Sequence, residues 1–175
     1  LDHAAGSKEF DRIYMHPEEE IGARKNFETE DRIEFVELKC MDDPLRKDIV
    51  DFARQNMVPY DPNYEIFYVE EGDTIDLGGL RLEPIHVPGH TKGSLVYVDR
   101  SHRTAFCGDA VNPRSSIGMF PGSPTVAVYA EALKRLLDMT EDIERYYVGH
   151  RLYYFTRDDV KDVLACAEEI TGGVP

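Results

Sequence analysis

Residues Val87–Ser94 read Val-Pro-Gly-His-Thr-Lys-Gly-Ser, and this stretch decides the fold prediction. It continues the run Leu80–Val87, whose composition is typical of a strand. A glycine before a histidine lets the backbone turn sharply at a strand end, so that the imidazole projects into a cleft. We therefore predict that Gly89 places His90 in a site at the end of a strand.

Two later stretches have the same character. Gly108 and Asp109 follow the apolar, strand-like run Thr104–Cys107, and Gly149 and His150 follow another short strand-like run. We expect Gly108 to keep Cβ bulk away from the Asp109 carboxylate, and Gly149 to turn the chain before His150. A carboxylate at such a strand end is suited to bridging two cations.

The beginning of the chain adds two further candidate ligands, Asp2 and His3. Together with His90, Asp109 and His150 they supply three imidazoles and two carboxylates. This mixture suits zinc, iron or manganese and argues against an all-oxygen calcium site.

Each motif also has an ordinary structural interpretation when it is taken alone. A lone Gly-His pair is more often a turn with a hydrogen-bonded histidine than a ligand. Asp109 is also compatible with a turn or helix cap, and Asp2 and His3 with a frayed terminus. The order of the motifs along the chain favours a metal site.

In that order the motifs resemble those of the metallo-β-lactamase superfamily, whose members carry Thr-His-x-His-x-Asp-His, then Pro-Gly-His-Thr-x-Gly-Ser, then Gly-Asp, then a late Gly-His. The resemblance implies an α/β fold, the four-layer αβ/βα sandwich of that superfamily. Leu1–Gly6 is similar to the tail of the first motif. We therefore expect a chain that is truncated within this motif and lacks the N-terminal strands of the sandwich.

The resemblance also assigns roles to the candidate residues. Asp2, His3, Asp109 and His150 match the ligands of one metal, whereas His90 and the bridging Asp109 match part of the other. Asp2 and Asp109 are the carboxylates to which it assigns catalytic roles. Intact relatives hold a binuclear centre, with zinc as the expected metal and iron or manganese as alternatives. Because two leading histidines are missing, we expect at most one firmly held metal and little turnover.

The activity that the resemblance implies is metal-dependent hydrolysis of an ester, thioester, lactone or similar bond in a small molecule. An iron-dependent redox member, such as a persulfide dioxygenase, has the same motifs and remains an alternative. A non-catalytic metal-binding or assembly module is a second alternative, favoured by the incomplete first motif. The joint presence of His90, Asp109 and His150 argues against it, since a structural protein has no need of all three.

Composition limits the partners of this 175-residue chain, which is long enough for one domain with a substantial core. Its net charge of −14 repels nucleic acid and anionic membranes. No apolar run approaches the ~20 residues of a membrane-spanning helix. Three cysteines without a Cys-x-x-Cys pair favour a reducing, cytoplasmic location, although an upstream signal peptide stays an open alternative. An unpaired sheet edge is expected to recruit another copy of the chain or an N-terminal fragment in trans.

The rest of the chain predicts alternating strands and helices in a single domain, 1–175. Residues 26–64 are the least similar to the family, and we predict a helical insertion or lid there, with Leu45, Ile49 and Phe52 on one helix face. A later helix is predicted to open at Ser123-Pro124. Its residues Val128, Leu133, Leu136 and Leu137 are expected to cover the sheet.

Four residues in or near the motifs are predicted to have structural rather than catalytic roles. We expect Thr91 and Ser94 to orient the loop that carries His90. His86 is predicted to support that loop rather than to bind metal. Cys107 lies in an apolar strand, which favours a buried small hydrophobic residue over a nucleophile. His16, in contrast, is predicted to be solvated.

Overall fold

A computed structural model of the protein describes residues 6–24, 28–59, 61, 63–112, 117, 122–150 and 153–172. The chain divides into two compact units. The first comprises residues 1–13 and 20–67, and the second comprises residues 14–19 and 68–175. The candidate residues Asp2 and His3 lie outside the described part.

The described part of the first unit is mostly helical. Its helices are α1 (Glu20–Ala23), α2 (Thr29–Lys39) and α3 (Arg46–Asn56). Residues 26–64 therefore do contain helices. Their role as an insertion or lid stays a prediction.

The apolar residues Leu45, Ile49 and Phe52 do not form the buried side of α3. Leu45 and Phe52 are exposed, whereas Val50 is the buried residue of this helix. Arg54 lies four residues after Val50, and it donates hydrogen bonds to Glu30 and Glu37 of α2 at 2.9 and 3.3 Å. Residues four apart share a helix face, so the face that meets α2 carries Val50 and Arg54. The sequence pattern alone did not identify the neighbouring helix.

The second unit is built on a six-stranded sheet with the order β3-β4-β5-β6-β7-β8. These strands are β3 (Ile75–Asp76), β4 (Arg81–His86), β5 (Leu95–Asp99), β6 (Thr104–Gly108), β7 (Arg145–Val148) and β8 (Tyr154–Phe155). All neighbouring pairs are antiparallel except β6 and β7, which are parallel. Two short strands, β1 (Ile13–Met15) and β2 (Ile66–Tyr68), form a separate two-stranded sheet.

Two helices, α4 (Val126–Met139) and α5 (Arg157–Thr171), cover one face of the six-stranded sheet. The core between them is almost fully buried and made of aliphatic and aromatic side chains. Its members include Val96, Val98, Ala105, Tyr146, Leu133, Leu136 and Val160. The prediction of a mixed α/β fold is confirmed. Within the described ranges, none of the helices is both long and apolar enough to cross a membrane.

Helix α4 begins slightly later than predicted. The hydroxyl of Thr125 accepts a hydrogen bond from the Val128 amide, so Thr125 rather than Ser123 caps the helix. Leu133, Leu136 and Leu137 are buried as predicted. Val128 is 46% exposed, because it lies in the first turn and off the buried stripe.

Candidate metal centre

Three loops meet at one edge of the six-stranded sheet. Strand β4 runs antiparallel to β5, β5 runs antiparallel to β6, and β6 runs parallel to β7. Strands β4, β6 and β7 therefore point the same way, and their carboxyl ends lie at the same edge. The residues that follow them include His90, Asp109 and His150, respectively.

One oxygen of Asp109 is shared by the two histidines. Asp109 Oδ2 lies 3.2 Å from His150 Nε2 and 3.7 Å from His90 Nε2. The Asp109 side chain is only 14% exposed, whereas those of His90 and His150 are 25% and 48% exposed. The Asp109 carboxylate thus lies at the centre of the group. The imidazoles of His90 and His150 both approach its Oδ2 atom.

The donor set and its spacing fit divalent cations. A tetrahedral cation bound at about 2.0–2.2 Å separates two of its ligands by roughly 3.4 Å, close to both nitrogen–oxygen distances. Among the described residues, no group of three or more His, Cys, Asp or Glu side chains is arranged so that it could hold a metal ion. Each of the two histidines instead approaches the same oxygen of Asp109. Asp2 and His3, the further ligands implied by the resemblance, are outside the described residues.

The glycines beside Asp109 and His150 have roles opposite to those expected. Gly108 has a φ of +51°, and a Cβ added there would meet nothing within 4 Å. It is needed for its left-handed backbone rather than for space. A Cβ added to Gly149 would lie 2.3 Å from Asp109 Oδ1, and it is His150 that has a positive φ, of 58°. Gly149 is therefore needed for close approach to Asp109.

The Pro-Gly-His loop is also shaped by close approach. A Cβ on Gly89 would lie 2.3 Å from Cδ2 of the Tyr129 ring in α4. A Cβ on Gly93 would lie 2.8 Å from Cγ of Glu19, whose Oε1 accepts a hydrogen bond from the Gly93 amide at 2.6 Å. Both glycines let distant side chains pack directly against the loop backbone. The sequence motif did not indicate Tyr129 or Glu19.

Hydrogen bonds within the loop confirm the predicted roles of Thr91 and Ser94. The Ser94 hydroxyl accepts from the Thr91 amide at 3.1 Å and lies 2.8 Å from the Thr91 hydroxyl. The Val87 amide donates to the Ser94 carbonyl at 2.8 Å, and the Gly89 amide donates to the Thr91 carbonyl at 3.0 Å. These bonds close the loop on itself around His90.

His86 supports the same loop from strand β4, as predicted. Its Nε2 lies 2.7 Å from the Lys92 carbonyl oxygen. Its ring stacks on that of His16, with centroids 4.5 Å apart and planes 6° from parallel. His16 is thus only partly exposed, because the stacked ring covers one of its faces.

Asn112 is a site residue that the sequence analysis missed. Its buried side-chain amide donates to Asp109 Oδ1 at 3.4 Å and to the Gly149 carbonyl at 3.3 Å. It thereby connects the shared carboxylate to the loop of His150. Its position three residues after Asp109 was the available sequence signal.

Two buried groups near the site stay neutral at ordinary pH. Burial raises the pKa of the Cys107 thiol and also that of the Tyr129 hydroxyl. Cys107 is thus a small buried hydrophobic residue, as predicted, and is not positioned as a thiolate nucleophile.

A family model matches most of the chain. Residues 1–150 match the family model of the metallo-beta-lactamase superfamily. The chain belongs to this superfamily.

Two groups of curated proteins resemble the chain. Acyl-coenzyme A thioesterase MBLAC2 of Gallus gallus is 30% identical over 154 residues, which cover 86% of this chain and 53% of that protein. Hydroxyacylglutathione hydrolase of Aeromonas salmonicida is 36% identical over 81 residues, covering 46% of this chain and 30% of that protein. The chain spans about half the length of the first of these relatives.

Solved structures support the fold. A metallo-beta-lactamase family protein of Thermus thermophilus matches with a TM-score of 0.60 and 21% identity, over 90% of this chain and 52% of that one. The protein TTHA1623, solved in a di-iron-bound form, matches with a TM-score of 0.56 and 24% identity, over 93% of this chain and 70% of that one.

Proposed function

We propose that this chain forms part of the catalytic centre of a metal-dependent hydrolase that cleaves thioesters. The observation that carries the proposal is the shared carboxylate, with Asp109 Oδ2 at 3.2 Å from His150 Nε2 and 3.7 Å from His90 Nε2. Two imidazoles on one carboxylate oxygen are suited to adjacent cations that share a ligand.

Zinc is the proposed metal because the donor set combines imidazole nitrogen with carboxylate oxygen. His90 and Asp109 would contribute to one position, and His150 and Asp109 to the other. Asp2 and His3 are proposed to complete the second position, by resemblance to the family. When bound, a divalent cation polarises a substrate carbonyl and makes water a better nucleophile at neutral pH.

The residues of this chain orient that chemistry. Asn112 engages Asp109 Oδ1, which leaves Oδ2 facing the two histidines. Gly149 allows the backbone after β7 to lie against the carboxylate. The Thr91 and Ser94 bonds fix the loop that presents His90. A site fixed in this way loses little energy to reorganisation during the reaction.

Thioesters are the proposed substrate class because both curated relatives act on acyl groups carried by a thiol, according to their names. The neutral, buried Cys107 supports a mechanism without a protein thiolate. The proposed location is cytoplasmic, and the free thiols of Cys40, Cys107 and Cys166 are compatible with it.

The test is hydrolysis of acetyl and longer acyl thioesters of pantetheine by the natural protein, purified with the metal it carries. We expect Asp109→Asn to lower kcat/KM by at least about a hundredfold, since loss of a ligand should exceed the 10–100-fold effect of its hydrogen-bond partners. Asp99→Asn is the matched control, because Asp99 is also buried but accepts hydrogen bonds from Ser101 and His102 outside the site. Equal activity of the Asp109→Asn variant and the wild type would contradict the proposal. The redox alternative would be favoured if the purified protein carries iron, oxidises a persulfide and hydrolyses no thioester.

A further inference from the structure

An apolar groove of about 470 Å³ lies beside α5 in the second unit. Its volume is within the roughly 300–1,000 Å³ of small-molecule sites. The apolar part of its lining consists of Ile117, Val126, Phe155, Val163, Ala167 and Ile170. His90, Asp109 and His150 do not line it. The groove is therefore separate from the candidate metal centre, and a molecule bound there is not the substrate of that centre.

The direction of α5 shows which residues lie at each end of the groove. Arg157 Nη1, at the start of α5, donates to the carbonyl oxygens of Leu137 and Thr140 at the end of α4, at 2.8 and 3.1 Å. The two helices pack against each other and are therefore antiparallel. Tyr129, in the first turn of α4, thus lies toward the last turns of α5 rather than toward its start.

The end of the groove near the start of α5 is acidic, because Asp159 and Asp162 line it there. Asp159 Oδ2 accepts hydrogen bonds from the amide and hydroxyl of Thr156 at 2.7 and 2.6 Å, which hold this carboxylate in place. Lys161 pairs with Asp158 at 2.7 Å instead, and in the described ranges no cationic side chain pairs with Asp159 or Asp162. This acidic end, in a chain with a net charge of −14, attracts a cation and repels an anion.

The opposite end of the groove carries a polar group of a different kind. Tyr129 lines the groove and is only 3% exposed. Its hydroxyl is buried without a hydrogen-bond partner in the described part of the chain. A buried hydroxyl without a partner is costly, so a hydrogen-bond acceptor on a ligand would be favoured at this end.

We propose that this groove binds a cationic amphiphile, an apolar chain with a protonated amine at one end and a hydrogen-bond acceptor at the other. The amine lies at Asp159 and Asp162, the chain contacts the apolar lining, and the acceptor meets the Tyr129 hydroxyl. From Asp162 to Ile170 the helix rises by about 12 Å, which corresponds to a chain of roughly eight carbon atoms. The inference does not rest on the proposed hydrolysis.

Binding of three probes that differ only in their head group tests the charge preference. Octylamine, octanol and octanoate are titrated into the full chain at low salt, and amide shifts in NMR spectra give the affinity and the position of each probe. Octylamine should bind at least about tenfold more tightly than octanoate, with octanol between them. The largest shifts should fall in residues 159–170. Octanoate binding as tightly as octylamine would overturn the inference.

A substitution at the acidic end tests whether the groove itself causes this preference. Asp162→Asn should weaken octylamine binding about threefold, tighten octanoate binding to a similar extent and leave octanol binding unchanged. Glu168→Gln is the matched control, because Glu168 is an exposed carboxylate of the same helix that does not line the groove. Equal changes in the two variants would show an effect of the overall charge and contradict the proposed site.

A bulky side chain in the groove tests the position of the apolar chain. Cys166 is exposed and lines the groove, so Cys166→Trp should weaken the binding of all three probes by at least about tenfold. Ala165→Trp is the control, because the neighbouring Ala165 is exposed but does not line the groove. Equal weakening in both variants, or in neither, would contradict the proposal. A change of oligomeric state in Cys166→Trp alone would assign the groove to a second copy of the chain and also contradict it.

The tyrosine end is tested with aminooctanol, which adds a hydroxyl group to the far end of octylamine. In the wild type this acceptor should tighten binding about threefold relative to octylamine. Tyr129→Phe should remove the gain and leave octylamine binding unchanged, since octylamine has no acceptor at that end. The absence of any gain in the wild type, or the same gain in Tyr129→Phe, would overturn the assignment of the acceptor to the Tyr129 hydroxyl.

Discussion

The loops that carry His90 and His150 present the same kind of side chain to Asp109 by different means. The loop Val87–Ser94 is held by several internal hydrogen bonds, by Glu19 and by His86. The turn Gly149–His150 is held by a Gly149 amide bond to the Gly108 carbonyl, by Asn112, and by a left-handed backbone at His150. The loop of His90 is thus supported by several independent contacts. The turn of His150 depends on a few contacts, and one of them, from Asn112, also involves the Asp109 carboxylate.

The largest expected effect comes from Gly149→Ala, because the new Cβ would lie 2.3 Å from Asp109 Oδ1. Displacement of the shared carboxylate should weaken zinc binding about a hundredfold. Gly108→Ala is the matched control. It meets no neighbour but has a φ of +51°, so it should cost about 1–2 kcal/mol of stability and change zinc affinity much less. Calorimetric titration with zinc measures the affinity of each variant, and urea unfolding measures its stability. Equal zinc affinities of Gly149→Ala and Gly108→Ala would contradict the different roles assigned to the two glycines.

A smaller effect distinguishes the two sides of the centre. Asn112→Ala removes the bonds to Asp109 and to the Gly149 carbonyl, so zinc affinity should fall about tenfold. Ser94→Ala removes a bond from a loop that has others, so it should lower stability by about 0.5–1.5 kcal/mol and leave zinc affinity nearly unchanged. The same titration measures both. If Ser94→Ala weakens zinc binding as much as Asn112→Ala does, the loop of His90 is not redundantly supported.

The smallest effect is a pH dependence on the His90 side. Burial acts to raise the pKa of Glu71, but hydrogen bonds from Arg135 and from the His86 amide outweigh it, and the pKa lies below its ordinary value of 4.5. A carboxylate with a lowered pKa stabilises the fold above its unfolded pKa, and this stabilisation is lost as the pH falls through the folded pKa. Wild-type stability should therefore decline below about pH 4.5 more steeply than that of Glu71→Gln. Urea unfolding at successive pH values compares them, and identical slopes would show that Glu71 has no such role.

The sequence predicted the strands that precede His90, Asp109 and His150, because strand composition and the glycines at strand ends are local patterns. The capping box of α5, formed by Thr156 and Asp159, is another local feature, because both residues lie within one turn of the helix start. The buried face of α3 was not predicted, because the position of α2 decides which residues are covered. The predicted roles of Gly108 and Gly149 were the reverse of the observed ones for a similar reason. A motif records that glycine is needed, but only the fold shows whether the need is a left-handed backbone or space beside a neighbour.

The supporting residues of the site were the hardest to predict. Tyr129 and Glu19 are far from Gly89 and Gly93 in the sequence, and each comes close only through packing. Asn112 is near Asp109 in the sequence, yet its second bond, to Gly149, depends on the parallel pairing of β6 and β7. Such residues become visible only when distant segments are brought together.

The most direct test of the central claim is anomalous X-ray diffraction at the zinc absorption edge, from crystals of the protein grown with zinc. The account predicts an anomalous peak about 2.0–2.2 Å from Asp109 Oδ2 and from Nε2 of His150 or His90. Zinc peaks only at other places, with His90, Asp109 and His150 ordered and without metal, would contradict it.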